Sequence, residues 1–282
     1  MLKALFAVIL PLAAPCRSAE GWHLTKTARF RILHEASSVP VDYLAALESL
    51  HRTLRTELAP FCPWLDKEPL VIYLYAGERS YLEGEFHPPR WSGGLSIPDQ
   101  KVVVTFDPIK NERAFIRVAA HEFAHLLFAT FWKKAGRRPP IWLDEGVAMA
   151  VQASALGPPE SSKRYADMWD FWQRFRFLPL DKFVRIHPAV DFQGLSDGDD
   201  RVHDWYTQAF SLTHYLFRMH PRMQFKNFCL KLREGSSLDD ALRSAYRIQG
   251  LAGLDEDWHA WLRQPEKSRK VLPMHSRHPW TR

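Results

Sequence analysis

The sequence predicts an α+β fold in which a small N-terminal mixed α/β layer with an edge hairpin is followed by a helical C-terminal lobe. Short apolar or alternating segments, typical of strands, all fall before residue 107 of the 282-residue chain. From residue 112 onward, apolar residues recur at helical spacing. We therefore expect a signal peptide at 1–19, an α/β lobe at 20–134, a helical lobe at 135–263 and a basic flexible tail at 264–282.

The composition is that of an ordinary folded globular protein, with 46% hydrophobic and 25% charged residues. The formal net charge is +6, but the positive residues are dispersed, apart from a cluster within Lys133–Arg138 and a basic C-terminus. Nucleic-acid binding usually requires a concentrated basic face, and the sequence shows none. The composition therefore argues against a nucleic-acid partner.

The N-terminus has the pattern of a secretory signal, with a positive start at Met1–Lys3, an apolar run at Ala4–Ala14 and small residues after it. The apolar run is too short to span a bilayer as a mature helix, and no later segment is apolar enough to do so. An uncleaved signal that anchors the chain is the alternative. We therefore expect a secreted or periplasmic protein with no stable membrane insertion apart from the signal segment.

The α/β layer is predicted from three segments in sequence. Alternation at Arg29–His34 predicts a strand, and the short apolar run Leu70–Tyr75 predicts a buried one. Between them, Val41–Leu58 carries apolar residues at helical spacing. A short helix is expected at Glu78–Phe86. The order of strand, helix and strand indicates a small α/β layer.

A hairpin is predicted within residues 91–106, with its turn at Pro98–Gln100. Gly93 and Gly94 stand at the start of its first strand, and paired glycines let another backbone approach closely. A free edge at this place could bind an extended peptide as an added strand. The alternative is an ordinary hairpin with a flexible start.

An unusually apolar helix is predicted at Glu112–Lys134, with Asn111 as its N-cap. His121 and His125 are four residues apart, so they lie one turn apart on the same face. Buried polar groups need partners, and a zinc ion bound by both imidazoles would be such a partner. Glu122 beside the ion could then hold a water molecule on it. Two satisfied core histidines with an exposed glutamate would look the same in isolation.

A second largely apolar helix is predicted from Pro140 to Val151. Its only carboxylates are Asp144 and Glu145, and Glu145 follows His125 by 20 positions. A connection of this length lets the second helix return beside the first and supply a third ligand. Two histidines and one carboxylate leave a fourth zinc position open, which distinguishes a catalytic site from a structural one. Alternatively, both carboxylates simply complement the dipole at the start of the helix.

The motif His-Glu-x-x-His at 121–125 and the phrase Trp-Leu-Asp-Glu-Gly-Val-Ala at 142–148 together resemble the gluzincin zinc metallopeptidases. The resemblance is closest to the bacterial peptidase-MA-like group, among relatives of thermolysin and aminopeptidase N. It implies a zincin fold and one zinc ion per chain, with Glu122 as the general base. The ligands that it implies are His121, His125 and Glu145.

A later helix, predicted at His203–Leu216, is similar to the one from which relatives present a tyrosine or histidine to the metal. By position, the resemblance assigns the stabilisation of the oxyanion to Tyr206, with His203 as the alternative. Tyr206 could also be a plain core aromatic. The chain departs from thermolysin-like enzymes at Met149, where they carry an aspartate, so the sequence identifies no partner for the ligating histidines.

Closing helices are expected at 222–232, 237–246 and 256–262. After removal of the signal, two cysteines remain, Cys62 and Cys229. In an oxidising compartment they could form a disulfide, or they could be two buried thiols. The small number of cysteines argues against a cysteine-based metal site.

Together these observations predict a zinc-dependent peptidase that hydrolyses peptide bonds in a peptide or protein substrate. Gly93 and Gly94 would align the substrate backbone. The Gly-x-Met-Glu-Asn element of the aminopeptidases is missing, which favours endopeptidase over exopeptidase activity. The alternative is a non-catalytic peptide-binding protein with a structural zinc, but such a site has no need of a base such as Glu122.

Overall fold

The computed structural model describes residues 21–90, 92–106, 111–175 and 177–264. The predicted signal peptide, Trp91 at the start of the predicted hairpin and the predicted tail beyond residue 264 lie outside these ranges. Within them the chain is α+β, with every described strand before residue 107 and only helices from residue 112 onward. The strands are β1 (His23–Lys26), β2 (Phe30–His34), β3 (Leu70–Tyr75), β4 (Gly94–Ile97) and β5 (Val102–Phe106). The helices are α1 (Val41–Leu58), α2 (Glu78–Glu83), α3 (Glu112–Lys133), α4 (Ile141–Ser154), α5 (Lys163–Arg174), α6 (Leu180–Phe183), α7 (Pro188–Asp191), α8 (Gly198–Arg218), α9 (Arg222–Arg233), α10 (Leu238–Tyr246) and α11 (Gly250–Leu262).

The strands form one mixed sheet in the order β1-β2-β3-β5-β4. Strands β2, β3 and β5 are parallel, and β1 and β4 pair antiparallel at the two edges. The predicted hairpin is present as β4 and β5, with Gly94 opposite Thr105 and Ile97 opposite Val102. The Thr105 hydroxyl donates a hydrogen bond to the Gly93 carbonyl oxygen at 2.8 Å. The hairpin therefore leaves β4 as an edge strand of the sheet.

One continuous hydrophobic core extends from one face of the sheet to α11. Helix α3 lies within it, and its Phe123 and Phe128 are fully buried. A smaller cluster, which includes Tyr81 and Val104, covers the other face of the sheet. Among the helices that the structure describes, none combines the length and apolar character needed to cross a membrane.

Cys62 and Cys229 are both buried free thiols, so they do not form the disulfide that the sequence left open. The Cys62 thiol donates to the Leu127 carbonyl oxygen at 2.8 Å, and burial raises its pKa to about 12. Burial also raises the pKa of Cys229 well above its usual value. Because the thiolate is the reactive form, both cysteines are unreactive core residues.

Several elements differ from the sequence-based prediction. Strand β1, which has mostly exposed side chains, and helix α5 are not predicted from the sequence. Helix α8 begins before the predicted His203, because Asp199 and Asp200 occupy its first turn, where the helix dipole favours acidic residues. Helix α11 begins at Gly250 rather than at Glu256. For α5 a signal does exist, since its large apolar residues recur at helical spacing: Tyr165, Met168, Trp169 and Trp172.

Helix α4 crosses α8 closely at Gly146, the residue after Glu145. A Cβ atom placed on Gly146 would lie 2.7 Å from the Ala209 carbonyl oxygen and would also meet the Thr213 side chain. Packed atoms do not approach each other this closely, so the contact requires glycine. The missing side chain therefore lets α4 lie directly against α8, and Glu145 is held at this contact.

We expect the Gly146→Ala variant to be destabilised by about 1–3 kcal/mol, because the added methyl group overpacks this contact despite the higher helix propensity of alanine. Gly253→Ala in α11 is the matched control, since the nearest atom to its new Cβ, Ile248 Cγ2, lies 3.4 Å away. The control should be neutral or more stable by up to about 1 kcal/mol. Urea unfolding of the parent and both variants measures these differences. Equal stability of the two variants would contradict the close packing of α4 on α8.

Candidate metal centre

Three potential metal ligands from two helices meet at one place. His121 and His125 project from the same face of α3, and their Nε2 atoms are 3.0 Å apart. The Oε2 atom of Glu145, on α4, lies 3.6 Å from each of these nitrogens. All three side chains are largely buried, with between 13% and 21% of their surface exposed. The return of α4 beside α3 therefore brings together the three residues that the sequence suggested as ligands.

This set of donor atoms fits a zinc ion. Two imidazole nitrogens and one carboxylate oxygen, all within 4.8 Å of one another, are the ligand types of a catalytic zinc site. Without a cation, these three groups offer more lone pairs than N–H donors in a largely buried space, which costs free energy. A divalent ion would satisfy all three groups at once. Three protein ligands leave a tetrahedral ion one further position.

The electrostatics of the three ligands also favour a cation. Burial by itself lowers the pKa of His125, but the carboxylates of Asp144 and Glu145 raise it well above its usual value. Burial by itself raises the pKa of Glu145, yet the adjacent His121 and His125 rings hold that pKa well below its usual range. The site therefore stabilises positive charge between these side chains, as the binding of a divalent cation requires.

Asp144 holds the ring of His125 in place. Its Oδ2 atom lies 3.2 Å from His125 Nδ1, which leaves Nε2 directed towards Glu145. A carboxylate in this position fixes the orientation of a ligating imidazole and raises its basicity. From the sequence, only a role at the helix dipole was evident for Asp144. Met149, at the position where thermolysin-like enzymes carry an aspartate, lines the cleft instead.

The Glu122 carboxylate lies beside the ligands and close to the edge strand β4. It accepts a hydrogen bond from the backbone of Ser96. Burial raises the pKa of Glu122, and the charge of Glu145 adds to this increase, although His121 and His125 oppose it. A carboxyl group whose pKa is raised holds a proton more readily than a free glutamate does, which suits a group that accepts and returns a proton.

The two glycines at the start of β4 differ in their surroundings. A Cβ atom on Gly94 would lie 2.8 Å from both Glu122 Cγ and Val118 Cγ1. At Gly93, the nearest atom would be Val118 Cγ2 at 3.8 Å, an ordinary van der Waals contact. Gly94 therefore allows β4 to pack directly on α3 beside Glu122, whereas this packing does not require a glycine at position 93.

These groups line one cleft of about 620 Å³ between β4, α3, α4 and α8. From α8, Tyr206 and His203 contribute to its wall. The Tyr206 hydroxyl hydrogen-bonds to Glu145, and burial raises the pKa of Tyr206 above its usual value, so it stays protonated at neutral pH. The cleft contains every site residue suggested by the sequence: Gly93, Gly94, His121, Glu122, His125, Glu145 and Tyr206.

Four residues that contribute to this site were not identified from the sequence, namely Ser96, Asp144, Gln152 and Arg164. Ser96 acts through its backbone, which no pattern of side chains reveals. Arg164 reaches the cleft from the start of α5, where its guanidinium donates to Gln152 Oε1 at 3.4 Å. The apolar spacing of α5 would have predicted that helix, but no sequence signal indicates where its arginine lies.

Residues 57–164 match a family model described as the Peptidase MA superfamily. The match begins near the end of α1 and ends in the first turn of α5, so it includes both α3 and α4. It supports a gluzincin-type peptidase superfamily, whose members are generally zinc-dependent. A comparison with curated proteins found no significant match. The family match and the geometry of the three ligands indicate a metallopeptidase-like function.

We expect Asp144→Asn to weaken zinc binding by about 10–100-fold, because the amide cannot support the His125 ring as the carboxylate does. Asp170→Asn is the matched control, since Asp170 is exposed on α5 and contacts only Arg174 among the described ion pairs, at 3.8 Å. Competition with a chromophoric chelator at neutral pH measures both affinities. If Asp144→Asn binds zinc as tightly as the control, Asp144 has no such supporting role.

Proposed function

We propose that this chain is a zinc-dependent endopeptidase of the gluzincin type, with a zincin fold and one zinc ion per chain. The observation that carries the proposal is the convergence of His121, His125 and Glu145 beside the Glu122 carboxylate in one open cleft. The match to the Peptidase MA superfamily supports it independently, and a peptidase domain implies a peptide or protein substrate.

Glu122 acts as the proton carrier of the reaction. When bound, the zinc ion would polarise the scissile carbonyl and bring the pKa of its water to about 7. Glu122 accepts a proton from the attacking water and passes it to the leaving amine as the C–N bond breaks. Its burial and its hydrogen bond to the Ser96 backbone hold the carboxylate beside the ligands for both transfers.

Tyr206 donates a hydrogen bond to the oxyanion that forms when the peptide carbonyl is attacked. Its hydroxyl is in the cleft, is protonated at neutral pH and already hydrogen-bonds to Glu145. A donor placed at an oxyanion typically contributes about 100 to 1,000-fold to the rate. His203 lines the same cleft and is the alternative donor.

The substrate backbone lies along the edge strand β4, aligned by Gly93 and Gly94. An edge strand offers free backbone groups to which an extended peptide can add. The element by which aminopeptidases anchor a free amino terminus is absent from the sequence, which favours cleavage at internal bonds. The signal-like sequence at 1–19 supports a periplasmic or secreted enzyme, with an uncleaved signal that anchors the chain as the alternative.

Glu122→Gln is expected to retain zinc and to lose at least about 100-fold in turnover, because the amide cannot accept the proton of the water. Glu234→Gln, exposed at the end of α9, is the matched control and should cleave casein as the parent does. Cleavage and zinc content are measured on the same samples, with and without chelator. A Glu122→Gln variant that cleaves at the parental rate would exclude this mechanism, and a zinc-loaded parent without any cleavage would favour a peptide-binding protein.

Tyr206→Phe is expected to lower kcat by about 100 to 1,000-fold while zinc affinity stays within a few fold, since the ring remains and only the donor is lost. His203→Gln is the comparison variant, because His203 is exposed at the cleft rim. Steady-state kinetics on one fluorogenic peptide separate kcat from KM. A large loss of kcat in His203→Gln, with none in Tyr206→Phe, would assign the oxyanion to His203 instead.

A further inference from the structure

A second cavity, of about 220 Å³, adjoins the cleft. Gln152 and Arg164 belong to the walls of both cavities. Three further cationic residues line the second cavity, namely Arg113 and Arg117 from α3 and Lys163 from α5, and its lining contains no carboxylate. A peptide bound in the cleft therefore lies next to a pocket of strongly positive charge.

Arg164 is held in the wall between the two cavities. Its Nη2 atom donates to Gln152 Oε1 at 3.4 Å, and Gln152 Nε2 donates in turn to the Arg117 carbonyl oxygen at 3.1 Å. Burial and the neighbouring charge of Arg117 lower the pKa of Arg164. The guanidinium is thus placed by a neutral amide that connects α3 with α5.

The positive charge of this pocket is only partly offset by the rest of the structure, because the carboxylates of Asp167 and Glu145 act on Arg164 from beyond ion-pair distance. Among the described residues, no carboxylate lies within ion-pair distance of Arg113, Arg117 or Arg164. Only Lys163 is paired, with Asp167 at 2.7 Å. A partly buried guanidinium without a carboxylate in direct contact is unfavourable, and arginine binds carboxylates with paired hydrogen bonds. The arginines therefore leave room for an anion supplied from outside the chain.

We propose that this pocket is a carboxylate-binding subsite, in which Arg164 and Arg117 bind an acidic group of the peptide substrate. The proposal rests on the peptidase function proposed above and specifies the class of its substrates. The carboxylate is either the side chain of a glutamate or aspartate or the C-terminus of the substrate. The start of α5 at the same pocket adds the positive end of a helix dipole.

The test measures binding rather than turnover. The zinc-loaded chain with Glu122→Gln is titrated calorimetrically with a neutral decapeptide in which glutamate replaces each position in turn. The same scan with glutamine supplies uncharged partners of equal size, and each peptide is made as a C-terminal acid and as an amide. We expect at least about fivefold tighter binding of the acidic partner, since a hydrogen bond to a charged group is about twice as strong as a neutral one.

The pattern identifies the source of the carboxylate. A preference at one position of the glutamate scan assigns the subsite to an acidic side chain. A preference for the C-terminal acid over the amide, with equal affinities at all positions of the glutamate scan, assigns the subsite to the C-terminus. If no acidic peptide binds more than about twofold tighter than its neutral partner, or if none binds measurably, the subsite does not exist.

Arginine variants in the same Glu122→Gln background then locate the subsite. Arg164→Gln should bring the ratio of the affinities for the acidic and the neutral peptide close to one. Arg117→Glu, at an exposed position, should reverse it, and serves as a second variant if loss of Arg164 disturbs folding. Arg185→Gln, exposed and outside both cavities, is the control and should keep the full preference. A preference that persists in both pocket variants would overturn the assignment.

Hydrolysis of the same peptides by the parent separates this proposal from the proposed function. Cleavage without any preference for acidic peptides would remove the subsite and leave the peptidase function intact. A preference in binding, lost in Arg164→Gln but without cleavage by the parent, would retain the subsite and exclude peptidase activity.

Discussion

The Glu145 carboxylate reaches two imidazoles on a different helix because α4 packs closely between α3 and α8. Gly146 permits the contact with α8, because any side chain there would meet the Ala209 carbonyl oxygen. Asp144 and Glu145 then face α3, one at each nitrogen of His125. The candidate site therefore follows from the packing of three largely buried helices rather than from a loop.

Strand β4 of the sheet also packs closely on α3. Gly94 lets β4 lie on Glu122, and the Ser96 backbone hydrogen-bonds to its carboxylate. The strand that would align a peptide is thereby in direct contact with the residue that would carry its proton. Arg164 lines the same cleft and joins it to a pocket of positive charge. The cleft thus contains both acidic and basic side chains.

Much of the fold follows from local patterns in the sequence. The bounds of α1 and β3 match the prediction, because helical periodicity defines α1 and a short apolar run between polar residues defines β3. The three candidate ligands that the structure brings together were also predicted, since two of them share one helical face and the third belongs to a distinctive phrase. Asp144 and Arg164 were missed for a physical reason. Their positions depend on how α4 and α5 pack against α3, and such long-range contacts leave no periodic signal in the chain.

The continuous core also limits how this protein can move. The sheet and the C-terminal helices belong to the same core, and α3 lies in the middle of it. Hinge closure requires two domains that each retain their own hydrophobic core when they move apart. Here, rotation of the helical part away from the sheet would open the interior to water along the length of α3. The shared core therefore favours local adjustments at the cleft rim over a hinge motion between the sheet and the helices.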